Sequence, residues 1–420
     1  MTRSIRFLAL AACLALAAAA APLPGASASH NGNLNVQVGQ FFGVGGRCNQ
    51  ATFEGCRAAE SMRFLAPSLR VHEGDVVTFD IQGFHTATFL PRPTDLFDWA
   101  ARNAGGVGKP WSLWGPEADD TAIDPGGSTS TPSIKVNNKA FFPSHSGCGE
   151  SASNPCGYDG SAYVNSGVPS PAAPPAFSVR IDAAPDANNP IWVVCLVHPH
   201  MFIRIIVVPD DAATTTQTEI DADEAAKIAL DQEWAQATDA EMLKSKSSHV
   251  NSSGQRVSDV YAGVDNHWAT LYGFYPKKIA VRKGQTVRFH FTEGIYEVHT
   301  ATFPIEDGFE LFDETFVPLC DPDGDSGAGP DTPADEEGPP CGGDLSKVEL
   351  DAPPMMFYPQ GDGTFGGTDY ENSGLRGAVG FAAAPRNDPW DLKFTKASAK
   401  GYRYLCVIHG AMMSGRVIVK

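Results

Sequence analysis

Apolar and polar residues alternate along several short stretches of this chain, and the stretches come twice. Val77, Phe79 and Ile81 alternate with polar neighbours, as do Val287, Phe289 and Phe291. A period of two is that of a half-buried β-strand. In both places a glycine, Gly74 or Gly284, stands three residues before the first apolar position, where a turn is expected. A longer β-branched or aromatic run follows late in each half, Trp192–Val208 and Tyr402–Val419, each broken by a short loop. Between the halves the pattern changes. Residues 219–234 are rich in helix formers, with Ala226, Leu230, Trp234 and Ala237 on one helical stripe. The pattern predicts an all-β chain in two similar halves joined by one linker helix.

The interrupted runs carry chemistry at their breaks. The first reads Cys195-Leu-Val-His198-Pro-His200-Met201 and the second Cys406-Val-Ile-His409-Gly-Ala-Met412-Met413. Each half also holds the same five residues upstream, His85-Thr-Ala-Thr-Phe89 and His299-Thr-Ala-Thr-Phe303. A thiolate and two imidazoles in a plane, with a weak thioether on the axis, is the ligand set of type 1 copper. A lone Cys-x-x-His is weak evidence, but its duplication with the same upstream histidine segment is specific. Zinc also accepts Cys and His, and the thioether argues against it. No Cys-x-x-Cys-His occurs, which excludes local c-type haem attachment.

On these motifs the two halves resemble cupredoxins, the plastocyanin and azurin family, with short amicyanin-like ligand loops. The resemblance implies two tandem cupredoxin-like Greek-key β-sandwich domains with long loop insertions. It implies one copper on His85, Cys195, His198 and Met201, and a second on His299, Cys406, His409 and Met412. It also implies that the loop histidines, His198 and His409, lie nearest the surface as electron ports. Two departures stand out. The first His and the Cys are 110 residues apart in one half and 107 in the other, and His200 and Met413 are competing ligands. The functional expectation is an exported electron carrier that is not an enzyme, with copper storage or delivery as the first alternative and a multicopper enzyme as the lesser one. Two-domain nitrite reductases and small laccases also stack such domains. They need a His beside the blue-copper Cys, whereas Val194, Leu196, Leu405 and Val407 stand there.

Composition fills in the setting. The 420 residues include 42 Gly and 32 Pro with 19% charged, which suits many turns and short strands. Arg3 and Arg6, an Ala/Leu-rich core and Ala26-Ser-Ala28 read as a secretory leader. The expected organisation is a leader over 1–28, one domain over 29–210, an acidic helical linker over 211–246 and a second domain over 247–420. Membrane contact is expected only if Cys13, in a lipoprotein-like box, is lipidated. The net charge is −18, and loss of Arg3 and Arg6 takes it to −20. Such a surface repels nucleic acid and favours a basic redox partner protein. Of nine cysteines, six fall into near neighbours, and an oxidising compartment favours the pairs Cys48–Cys56, Cys148–Cys156 and Cys320–Cys341. Alternating carboxylates at Asp321, Asp323 and Asp325 do not meet the calcium-loop spacing and read as a solvated acidic loop. Tyr163-Val-Asn165-Ser-Gly167 and Tyr370-Glu-Asn372-Ser-Gly374 read as a shared scaffold turn.

Overall fold

The structure is a computed structural model. It describes residues 32–45, 57–104, 109–113, 134–135, 137–145, 147–169, 175–198, 200–245, 247–291, 296–314, 317–318, 350–352, 354–377 and 389–420. The leader with Cys13, the Cys48–Cys56 and Cys320–Cys341 pairs and the acidic loop lie outside these residues. Cys148–Cys156 is a disulfide, while Cys195 and Cys406 are free and buried.

Each half is a cupredoxin-like β-sandwich, and the halves repeat one another strand for strand. In the first, Asn33–Val44 pairs in parallel with Val76–Ile81, which pairs with Ala176–Ile181. In the second, Arg256–Asp265 pairs in parallel with Thr286–Phe291, which pairs with Trp390–Phe394. The facing sheets match likewise. One orders Leu69–Val71, Phe202–Val207, Ile191–Val194, Thr88–Phe89 and Val164–Asn165; the other orders Lys278–Val281, Gly410–Val419, Ser398–Cys406, Thr302–Phe303 and Glu371–Asn372. The alternating positions behave as their period requires. Val77, Phe79 and Ile81, and Val287, Phe289 and Phe291, all face the interior. Gly74 and Gly284 take φ of 91° and 85°, left-handed values that a tight turn demands and glycine adopts without strain.

The halves are fused rather than merely linked. Arg57–Phe64 pairs antiparallel with Ala269–Tyr275, placing Ala58 opposite Tyr272 and Glu60 opposite Thr270. One eleven-stranded sheet therefore runs through both halves. The insertions also meet, since Ile134–Lys135 of the first pairs with Leu350–Ala352 of the second. They carry elements of their own, including the helices Leu96–Asn103 and Ile305–Glu314 after the first histidine strand.

The linker is the helix Gln217–Met242, opened by a capping box between Thr216 and Glu219. Its inward face differs from the expected stripe. Leu230 is 61% exposed and Ala226 and Ala237 are exposed, whereas Ile220, Asp231, Ala235 and Asp239 are buried. The reason is charge pairing across the fused sheet. Asp231 accepts from Ser61 Oγ at 2.6 Å and from both ends of the Arg63 guanidinium. Asp239 pairs with Arg57 and accepts from the Tyr275 hydroxyl at 2.9 Å. A pattern of apolar positions cannot report a face buried through ion pairs. The helix thus packs on strands of both halves, over a small core of Phe42, Val44, Ala59, Leu271 and Tyr275.

Candidate metal centres

The repeated His-Thr-Ala-Thr-Phe segment is a bracket, and each residue of it has a task. His85 and His299 are fully buried. The next residue's backbone N–H, Thr86 or Thr300, donates to the cysteine Sγ at 3.4 and 3.3 Å. The hydroxyl of the same threonine accepts from the N–H after the cysteine, Leu196 or Val407, at 2.9 Å in both halves. Ala87 and Ala301 donate to Ser166 and Ser373, and Thr88 and Thr302 donate to Asn165 and Asn372. The Asn-Ser-Gly turn is therefore the clamp that holds the histidine strand. Phe89 and Phe303 close the segment in the two cores.

Two groups of three ligands result, His85/Cys195/His198 and His299/Cys406/His409, and among the described residues these are the clusters able to hold a metal. In the first, the two Nδ1 atoms lie 2.9 Å apart and each is 3.8 Å from Sγ. The centre of that triangle is about 2 Å from all three atoms, the length of a metal–nitrogen or metal–thiolate bond. In the second, Nδ1 to Nδ1 is 3.3 Å and Sγ to His409 Nδ1 is 3.4 Å. Copper's trigonal N₂S set fits both.

The two sulfurs differ in one bond. Cys195 Sγ accepts a second N–H, from His198 at 3.3 Å, whereas the His409 N–H turns to the carbonyl of Cys406 at 3.2 Å. The electrostatics suit thiolate ligands. Burial pushes the Cys195 thiol up, but hydrogen bonds from His198 and His85 outweigh it and bring it down to about 5. Cys406 is likewise held well below a free thiol, burial being overcome by the charge of His409 and by hydrogen bonds from both histidines.

The strand register decides how the methionines sit. Phe202 lies opposite Val194, the residue before Cys195, and Ser414 lies opposite Leu405, the residue before Cys406. Met413 therefore occupies the position of Met201. Both are buried in the cores that contain the cysteines. Met412, expected as a ligand from its spacing, is half-buried and lines a cavity beside His409. The second loop is one residue longer, which turns Met413, the competing methionine, toward the core. His200 lies outside the ligand group and packs at a tilt against Tyr296 and His267 of the other half, ring centres 4.2 and 5.3 Å away. Burial, then the charges of His198 and His267, lower it to about 3.

Two site residues carried no recognisable sequence signal. Gly39 and Gly263 occupy matching irregularities in the first strand of each half, at φ of 67° and 62°. A Cβ there would stand 2.6 Å from His85 Cδ2 and 1.9 Å from His299 Nε2. These glycines make room for the ligand rings.

The loop histidines do not reach the surface as the resemblance implied. His198 and His409 are 7% and 8% exposed, and they face each other across the seam between the halves. The Glu297 carboxylate lies between them, one oxygen 2.5 Å from His198 Nε2 and the other 3.2 Å from His409 Nε2. Burial would raise Glu297, but the charge of His198 and hydrogen bonds from both rings hold it well below its ordinary value. Glu60 makes a second cross-brace, 2.8 Å from His85 Nε2 and accepting from the Tyr272 hydroxyl of the other half at 2.5 Å. The Tyr272 ring lies against His409, centres 4.3 Å apart. Beside these groups is a largely apolar cavity of 460 Å³ lined by Phe41, Phe84, Tyr272, Tyr296 and the two loop histidines.

No family model matches the chain, and no curated protein matches it. Among solved structures it is similar to auracyanin A, a blue copper protein from Chloroflexus aurantiacus. That match has 17% identity over 39% of this chain and 98% of that one, with a TM-score of 0.20. It is also similar to the multicopper oxidase mgLAC, at 9% identity and a TM-score of 0.16, and to a blue copper oxidase from Nitrosomonas europaea, at 12% and 0.16. The oxidase matches cover 65% of this chain and 64% of each oxidase, just under two thirds of their length. At such identities and scores these likenesses assign no role to any residue. Two of these three named structures are copper oxidases, and on that finding the expectation that the chain is not an enzyme is withdrawn.

Proposed function

We propose that each half binds one type 1 copper and that the chain is an exported carrier of single electrons. The observation that supports this most is the pair of Nδ1, Nδ1, Sγ triangles, each sized for a metal and each with a backbone N–H aimed at sulfur. Such a site suits both oxidation states. Cu(I) favours soft sulfur, Cu(II) favours imidazole, and a pre-set trigonal frame leaves little to rearrange when an electron arrives. Copper, when bound, supplies the one-electron couple. The chain's own residues fix the rings, aim N–H groups at sulfur and exclude water, which together set the potential.

The fourth ligands in this reading are Met201 and Met413, the two core-facing thioethers at the same register. Export is supported by the leader-like start and by the Cys148–Cys156 disulfide beside two unpaired, buried cysteines. The acidic surface favours a basic redox partner. Storage or delivery uses the same ligands, and redox cycling separates the two. The copper-loaded protein should show an intense thiolate-to-copper band that bleaches with a mild reductant and returns fully on reoxidation, with no loss of metal. Copper released on each cycle would support delivery instead. Colourless protein, or preference for zinc, would overturn the type 1 reading.

A further inference from the structure

The part of each centre that points toward the other is its loop imidazole, and one side chain touches both. We propose that Glu297 couples the two centres into a single two-electron unit, with an electron passing between them along His198, Glu297 and His409. The inference rests on the reading of each half as a type 1 copper site. A histidine that ligates through Nδ1 presents Nε2–H on its far side and needs an acceptor there. Two separate acceptors, or water, would satisfy two rings. Instead one buried carboxylate serves both, an oxygen to each.

The carboxylate is itself held in place. Backbone N–H groups of Tyr296 and Glu297 donate to Asp265 at 3.2 and 3.1 Å, and Glu297 precedes the ligand strand Val298–His299. Both rings are buried, at 7% and 8% exposure, and their Nε2 edges point to Glu297. The fused sheet and the Glu60–Tyr272 brace fix the separation that such a relay requires. With copper bound, His85, Cys195 and His198 would hold one centre and His299, Cys406 and His409 the other, and each would supply a one-electron couple, so that an electron lost at one centre would be gained at the other. One electron moves, and no bond forms or breaks.

The test uses the full copper-loaded chain, with Glu297→Gln and Glu297→Ala. Light-driven injection of less than one electron per chain, followed optically and by electron paramagnetic resonance, reads the relaxation between centres. Voltammetry reads the potential of the second centre in the natural chain and in a Cys195→Ser background. In the natural chain the electron should redistribute between the centres, and Glu297→Ala should slow this by about tenfold or more with both bands retained. Glu297→Gln keeps one acceptor, cannot accept from both rings, and should fall between. The second centre's potential should shift between the two backgrounds, and that shift should shrink in both Glu297 variants. Unchanged relaxation and unchanged potentials in the isosteric Gln variant would overturn the proposal while leaving the type 1 reading intact. A natural chain with no blue band would overturn the type 1 reading first.

Discussion

The helix Gln217–Met242 is held by buried charges as well as by apolar contact, and Asp231→Ala measures how much the charges matter. Asp231 is 2% exposed and accepts from Ser61 Oγ at 2.6 Å and from the Arg63 guanidinium in a fork. Removing it strands a buried hydroxyl and a cation whose side chain is only 13% exposed. Breaking a buried ion pair by deleting one partner costs about 3–5 kcal/mol. Arg63 retains the face of Trp268, 4.6 Å from the ring centre, and a little water, which places the loss near the lower figure. We therefore expect copper-free Asp231→Ala to be about 3 kcal/mol less stable in urea unfolding, with an unchanged slope. An added Arg63→Met should recover part of that loss, because it removes the stranded charge. The blue band of the loaded protein should survive, since Asp231 lies outside the ligand group. A loss under about 1 kcal/mol, the size of an exposed surface pair, would refute the view that this helix anchors both halves through buried charge.

Other expectations follow from the same geometry. Met413→Leu should change the second centre's potential and spectrum, while Met412→Leu should leave both nearly unchanged; voltammetry showing the reverse would move the ligand back by one residue. The extra N–H bond to Cys195 should make the first centre the more oxidising by about 60 mV, the one-electron equivalent of one charge-assisted hydrogen bond. In the copper-free protein, burial lowers His85 and His198, but Glu60 and Glu297 outweigh it and raise them to about 9 and about 10. These raised values stabilise the copper-free fold fully below the ordinary histidine range, near pH 6.5, and that contribution is lost as pH rises through 9 to 10. Copper must displace protons held there, so calorimetry in buffers of different ionisation heat should show net proton release at the first site at pH 7. Affinity should rise toward pH 9; flat affinity between pH 7 and 9 would contradict this.

The two His/Cys/His clusters were legible because their chemistry is local. His85, Thr86 and the Cys195 loop form one bracket whose parts recur in order, and strand period gives their faces. What escaped the sequence was long-range pairing. Arg57–Phe64 carries Glu60 and Ser61 among its buried residues, so it shows no clean alternation; their partners are Tyr272, His85 and Asp231, remote along the chain. Asp231 and Asp239 lie off the apolar stripe of the helix, and Arg63 and Arg57 reach them from another strand. Met413 stood in the sequence only as a competing ligand, and its core-facing place follows from the strand register and burial. The burial of His198 and His409 depends on the fused sheet, which no local pattern announces.

The most direct test of the account is a copper titration of the metal-free chain followed by its thiolate-to-copper absorption. The band should rise in proportion to added Cu(II) and break at two per chain, and at one per chain in Cys195→Ser and in Cys406→Ser. A break at one in the natural chain, loss of all colour in either single variant, or a break beyond two would contradict two complete and separate copper centres.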